Sequence, residues 1–412
     1  DRRDLHRRRR GHRDAGRGRL SSPAFDLVLG GTPRFGAEAP WAWRLLRRYA
    51  RRLPAARRTE TRDRSPRVSD AAGDAEIVLV QADPEAYLLP AAALRLIAGL
   101  AKNADLALIL PVTNEPSGAS EETRATPPFL YATPTLLSEA VEAVAARGEP
   151  LRVSANPASP VYAVRRDVLR ALPADLPLER VPGEVRARGL AAAVDPCAYL
   201  HRYGAMDASP REDLAARVPS GAASVLDVGC SQGATAPSLR ARGVTRIIGI
   251  EPDPEDAAQA ARVYDRVLSV PLERVAEGWT GAFDAVLFGD VLEHLEDPSD
   301  ALSRVRPWLS PRGVVIASVP NSGHWSIIDD LLRGRFDYVP YSLLSGTHVR
   351  LFTRRTLTDL FEASGYRVEE LATTLLPASP AGRPRLERLR SLPGASPDLE
   401  VSEFLAVARA AG

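Results

Sequence analysis

The sequence has almost no cysteine, methionine or lysine, and it has no long apolar run. Of 412 residues only Cys197 and Cys230 are cysteines, which excludes a disulfide framework and a cysteine-based zinc site. A reducing, cytoplasmic setting is the expectation. No stretch approaches the roughly 20 apolar residues that a bilayer-crossing helix needs, and no leader with a hydrophobic centre opens the sequence, so no transmembrane segment is expected. Met206 is the sole methionine and Lys102 the sole lysine, so all other basic side chains are arginine, which reads as coding bias.

What is there is unevenly spread. The net charge of +2 conceals 20 arginines against 8 acids in residues 1–70, so the remainder is acidic. An arm such as Arg7–Arg10 is the kind that binds nucleic acid or an anionic membrane. The plainer expectation is that 1–70 is a disordered or mis-assigned N-terminus and that nucleic acid is not a partner. Trp41, Trp43, Leu45, Leu46 and Tyr49 form an aromatic and apolar group expected to pack on the next domain. At this length, 45% hydrophobic content supports two or three domains.

Order is expected to begin near Ala75. Residues 76–80 and 106–110 read as buried strands, 159–164 as a further strand, and 90–101 and 134–146 as helices. These make a smaller α/β segment over 71–205, with too few elements for an independent doubly wound domain. After a short linking helix near Ser209–Glu212, strands are expected at 224–228, 246–250, 266–270, 284–288 and 313–319, alternating with helices as a parallel sheet demands. Two late strands, 366–374 and 402–409, complete a doubly wound, mostly parallel, seven-stranded sheet over 206–412.

The chemistry gathers at the carboxyl ends of those strands, where open α/β sheets bind ligands. Ser224–Thr235 reads as a buried strand entering a glycine turn, with Gly229 and Gly233 letting a ligand approach the main chain. Glu251 follows Gly229 by 22 residues, about the distance for an acid that accepts the two hydroxyls of a ribose. A dinucleotide turn wants G-x-G-x-x-G, whereas this one has Cys230, Ser231 and Gln232 between its glycines. Asp227 adds a carboxylate that repels a diphosphate and suits an ammonium. Together these point to S-adenosylmethionine.

The blocks VLDVGCSQG (225–233), IIGIEPD (247–253), FDAVLFGDVLEHLEDP (283–298), LSPRGVVIASVPN (309–321) and HVRLFT (348–353) resemble the class I S-adenosylmethionine-dependent methyltransferases, near the ubiquinone-biosynthesis O-methyltransferases. The resemblance implies methyl transfer to a small-molecule, quinone-like or glycan acceptor. It implies a cofactor pocket of Asp227, Gly229, Cys230, Gly233, Glu251, Pro252, Leu272, Asp290 and Val291. Ser231 stands where the family usually has glycine, and Val270-Pro271-Leu272-Glu273 lacks the acid that many relatives use for adenine. Asp290 and His294 are the catalytic candidates, His294 as a base near neutral pH. Similarity to the small-RNA 2′-O-methyltransferases implies a magnesium set matching Asp290, Glu293, His294 and His348. The ring-rich stretch Asn321–Thr353, with Trp325, Phe336, Tyr338, Tyr341 and Phe352, is the expected acceptor cap, and His324 and Arg350 are further candidates there.

Residues 77–100, 108–116 and 198–204 resemble the second half of a family 2 type glycosyltransferase. Its metal-binding Asp-x-Asp would be Gln81-Ala82-Asp83 here, which implies a degenerate or truncated domain. Two other function classes stay open at this stage. One is a nicotinamide-dependent oxidoreductase on a similar sheet, and the other a non-catalytic cofactor-binding scaffold. The residues leave the oligomeric state open.

Overall fold

The computed structural model describes residues 23–30, 53–60, 65–83, 86–114, 121–125, 133–202, 210–338 and 342–411. They form two α/β units, each built on its own sheet. Arg7–Arg10 and the group from Trp41 to Tyr49 lie outside the described residues.

The first sheet comprises β1 (Phe25–Leu29), β2 (Arg57–Glu60), β3 (Ile77–Gln81), β4 (Ala86–Leu88), β5 (Leu108–Thr113), β6 (Arg152–Val153), β7 (Val161–Arg165) and β8 (Ala192–Arg202). Its order is β2-β1-β3-β7-β5-β8-β4, with β6 on β8. This corrects two expectations. Residues 1–70 are not wholly disordered, because β1, FDLVL, is fully buried and pairs with β2 and β3, its one acid, Asp26, being paired with Arg166. The first unit also holds more strands than the sequence pattern offered. β8 escaped because Asp195-Pro196-Cys197 breaks its alternation. There the Cys197 amide turns back onto Asp195 Oδ1 at 2.9 Å, and the register with β5 jumps from Pro111↔Asp195 to Val112↔Tyr199. Gln81 is tied into the turn after β3, its amide donating to the Ala86 carbonyl at 2.6 Å.

The second sheet comprises β9 (Ser224–Val228), β10 (Arg246–Ile250), β11 (Arg266–Leu268), β12 (Phe283–Gly289), β13 (Leu309–Pro320), β14 (Tyr366–Leu375) and β15 (Val401–Ala410). Its order, β11-β10-β9-β12-β13-β15-β14, has five parallel strands and then β15 antiparallel to both β13 and β14. The chain winds outward in both directions from β9, so the crevice at the β9 and β12 carboxyl ends is the switch point of the sheet. Burial on both faces explains the largely apolar β9, β10 and β12, in which Asp227 and Asp284 are the only acids, and two clusters of buried side chains cover those faces. No helix among the described residues is long and apolar enough to cross a membrane. Both cysteines are buried and unpaired.

Candidate functional site

At the end of β9 the backbone must reverse, and glycine is required for two reasons. Gly229 and Gly233 have φ of 70° and 83°, and a Cβ on Gly229 would lie 2.5 Å from Val291 Cγ2. At Gly233 a Cβ would meet Tyr264 and Val263 at 2.8 Å. Ser231 shares the left-handed region at φ 45°, which accounts for the usual glycine there. Ser231→Gly is expected to raise unfolding stability by about 1 kcal/mol through relief of that strain. Chemical denaturation would test it, and a loss of stability would mean the hydroxyl has a structural role.

The amides of Gly229, Cys230, Ser231 and Gly233 in this turn are engaged within the protein. Gly229 and Cys230 both donate to the Ile250 carbonyl, at 2.8 and 3.2 Å, and Ser231 donates to Glu251 Oε2 at 2.8 Å. Such a turn is no cradle for a diphosphate. Glu251 Oε1 accepts from the Asp253 amide at 2.9 Å, so backbone donors fix the carboxylate and leave lone pairs open on each oxygen. Burial raises the Glu251 pKa against the lowering effect of those two amides.

Asp227 lies under the turn, where its Oδ2 accepts from the Tyr264 hydroxyl at 2.5 Å. Burial pushes its pKa up to about 6. Tyr264, which the sequence reading did not single out, thus holds both the acid and the glycine turn. Cys230 is buried beneath the turn against Gly249, and burial, reinforced by the charges of Asp227 and Glu251, raises its thiol pKa and keeps it protonated. Pro252 is exposed beside Glu251, Val291 is half-buried against Gly229, and Leu272 is buried in the core.

Beyond β12, Asp290 takes a left-handed φ of 54°. Its Oδ1 accepts from Ser318 Oγ at 2.9 Å, and its Oδ2 pairs with Arg211. Both Asp290 carboxylate oxygens are thus engaged, one by Ser318 and one by Arg211, where the sequence reading had expected a catalytic group. Arg211 was also missed by the sequence reading. It precedes the short helix Glu212–Ala215 and reaches Asp213 at 2.8 Å, Glu403 at 2.6 Å and Ser318 at 3.0 Å as well as Asp290. Burial opposes its charge, but the Asp213 hydrogen bond and three neighbouring carboxylates raise its pKa further. Three acids surround one guanidinium, so the cluster keeps excess negative charge. Glu403, from β15, is pushed up to about 7 by burial and then by Asp290.

Glu293, His294 and His348 come together as the sequence reading expected, with ligand atoms within 4.8 Å of one another. Among the described residues no other group has metal-ligand spacing. The Glu293 carbonyl accepts from the Val349 and Arg350 amides at 2.9 and 3.0 Å, which draws the His348 loop inward. Both Glu293 carboxylate oxygens are buried without a hydrogen-bond partner, and His348 Nε2 lies 4.0 Å from Oε1. Carbonyls only accept, so each imidazole must donate from Nδ1, His294 to Thr347 at 3.2 Å and His348 to Leu343 at 3.3 Å. His348 thereby keeps its Nε2 lone pair on the side of the Glu293 carboxylate. Burial, reinforced by Asp290, raises the Glu293 pKa well above the usual range, and burial lowers His348 to about 4.

The expected acceptor cap divides. Phe352 and Trp325 are core residues, and Tyr341 lies outside the described residues. Phe336 is 38% exposed and meets Tyr338 edge-on, ring centroids 5.2 Å apart. His324 is fully buried as the N-cap of the helix Trp325–Leu332 and bonds the Leu376 carbonyl at 3.2 Å. Burial lowers its pKa to about 4, so it is a neutral structural residue. Arg350 is exposed and donates to the Glu296 carbonyl.

Residues 187–371 match a family model described as a methyltransferase domain. A ubiquinone biosynthesis O-methyltransferase of Thiobacillus denitrificans is 30% identical over 164 residues, 38% of this chain and 69% of that protein. Its counterpart in Psychrobacter cryohalolentis is 31% identical over 132 residues, 30% of this chain and 50% of that protein. The chain spans about half the length of several such relatives. A solved S-adenosylmethionine-dependent methyltransferase of Archaeoglobus fulgidus superposes with a TM-score of 0.36 at 17% identity, covering 48% of this chain and 93% of that one. The matched region contains the strand-end motifs, and with the 30% identical relative it shows that the chain belongs to the class I S-adenosylmethionine-dependent methyltransferases.

Proposed function

We propose that the protein transfers a methyl group from S-adenosylmethionine to a hydroxyl oxygen of a small-molecule acceptor, quinone-like or glycan. The observation that carries this reading is the electrostatics of the crevice. Its turn amides are already bonded, while Asp213, Asp290 and Glu403 leave net negative charge beside it. A cationic donor is favoured there and a dinucleotide is not. In this reading Glu251 takes the ribose hydroxyls, Val291 and Leu272 border the base, and Arg211 faces the donor carboxylate. Asp227 acts through the turn that it anchors with Tyr264.

The acceptor oxygen attacks the methyl carbon in line with the breaking carbon–sulfur bond, so the sulfonium becomes a neutral thioether and the acceptor loses one proton. Because charge is lost at the donor, alignment and exclusion of water are the main contributions of the protein. When no ion is bound, His294, which is exposed, is the group assigned to receive the proton. Phe336 and Tyr338 offer ring faces for the acceptor. The orphaned Glu293 carboxylate and the two imidazoles fit a divalent ion, which when bound would lower the pKa of a hydroxyl and orient it.

Calorimetry of the full chain against S-adenosylmethionine and a nicotinamide dinucleotide tests this directly. Binding of the first alone is expected. Asp227 and Glu403 ionise only as pH passes about 6 and about 7. The affinity for the cation is therefore expected to rise about tenfold from pH 5.5 to 8. The stability of the ligand-free protein moves the opposite way. Both folded-state values lie above the unfolded ones, so the stabilisation is complete at low pH and is lost as pH rises through 6 to 7. Preferential uptake of the dinucleotide, or an affinity that falls with pH, would reject the assignment.

A further inference from the structure

We propose that the first domain holds the acceptor cap of the second in place, with Glu139 and Arg385 as positioning residues that act through the helix Trp325–Leu332. This rests on reading Asn321–Thr353 as that cap. The contact is made by the helix Pro134–Ala145, which starts at a Thr133 N-cap with proline in its first turn. One residue from its start, Thr135 Oγ1 donates to Asp330 Oδ1 at 2.8 Å and accepts from Arg335 at 3.3 Å. One turn later Glu139 pairs with Arg385 at 2.7 Å, and Arg385 also reaches Asp329 at 3.4 Å and lies over the Trp325 ring, 5.4 Å from its centroid. Between these polar contacts Leu136 is buried in one apolar cluster with Trp325, Leu386, Leu389 and Leu399.

The gripped helix is connected to the site. It begins five residues after β13 ends, and the intervening turn is tied on both sides. Asn321 donates to the carbonyls of Asp398 and Val401 at 3.0 and 2.8 Å, and His324 bonds Leu376. Ser318, just upstream on β13, holds Asp290, and Glu403 of β15 faces Pro320 in the strand pairing. The helix is thereby anchored to strands that border the crevice, while the acidic cluster is held separately by Arg211. The closed contact is also imperfect. Arg385 Nε and Trp325 Nε1 are both buried without a hydrogen-bond partner, an uncompensated cost that leaves the closed arrangement only modestly favoured. Opening of the cap is then within thermal reach, and the ion pair sets how often it occurs.

Hydrogen exchange on the full chain, with S-adenosylmethionine calorimetry on the same samples, tests this. Glu139→Ala and Arg385→Ala are each expected to speed amide exchange at least tenfold in 325–332 and 383–390. Strands β9 to β12 should be unaffected and the dissociation constant for S-adenosylmethionine should stay within twofold. Glu139→Gln, which keeps an acceptor, should restore most of the protection, and the double alanine variant should add little to either single one. Unchanged exchange in the cap overturns the proposal. So does a uniform rise across the second sheet, which would mark ordinary loss of fold stability. Failure of the unmodified protein to bind S-adenosylmethionine would instead strike at the proposed function, and the exchange pattern would still decide the positioning role.

Discussion

Replacing Arg211 with alanine is expected to cost about 3 kcal/mol of unfolding free energy and to abolish measurable donor binding at micromolar concentrations. The side chain is 24% exposed and is the cation shared by Asp213, Asp290 and Glu403. Removing it leaves carboxylates that burial already disfavours, with Glu403 at about 7 even beside the guanidinium. Part of the cost should be recovered by Glu403→Gln in the Arg211→Ala background, because one of the uncompensated charges is then gone. Arg211→Lys should keep much of the stability but lose the fork geometry that reaches four partners at once. Urea unfolding of these three variants, with Glu403→Gln alone to close the cycle, would measure the coupling. A change below about 0.5 kcal/mol for Arg211→Ala would show that the cluster is a surface ion pair of little consequence.

Stripping divalent ions is expected to lower methyl transfer at least about 100-fold, with magnesium restoring it and donor binding preserved. The physical basis is Glu293, whose carboxylate is buried without a donor to either oxygen. An isolated buried carboxylate stays protonated unless a cation arrives, and two imidazoles lie beside it with ligand atoms within 4.8 Å. Glu293→Gln should remove metal binding yet leave the fold intact, because the ion-free carboxyl is already neutral and the amide is of nearly the same size. The measurement is metal titration followed by calorimetry, with labelled donor as the activity readout. Activity that ignores a chelator would dismiss the metal.

Much of the second unit was legible from residues alone. Its strands are buried on both faces and therefore read as short apolar runs, and the turn between β9 and its helix needs glycines that no other residue replaces cheaply. Glu251 was found because spacing along a strand–helix–strand unit is set by the lengths of those elements. Glu293, His294 and His348 were found through resemblance, since 53 intervening residues separate the two histidines. Arg211 and Tyr264 were missed because each works through partners distant in sequence, and arginine is so common here that no single one stands out. Trp325 and His324 were placed in an acceptor site on the strength of residue type, yet one packs against Leu136 and the other caps a helix.

Local chemistry along the chain was enough to determine the alternation of strands and helices, the glycine turn and the acid at the tip of β10, because each depends on neighbours within a few residues or one repeating unit. Tertiary structure alone decided that Asp290 is held by Arg211, that Glu293 is buried without a partner, and that the first domain grips the helix after β13. Those outcomes depend on which side chains from separate elements share a dry space, and burial and pairing are properties of that space and not of any one segment.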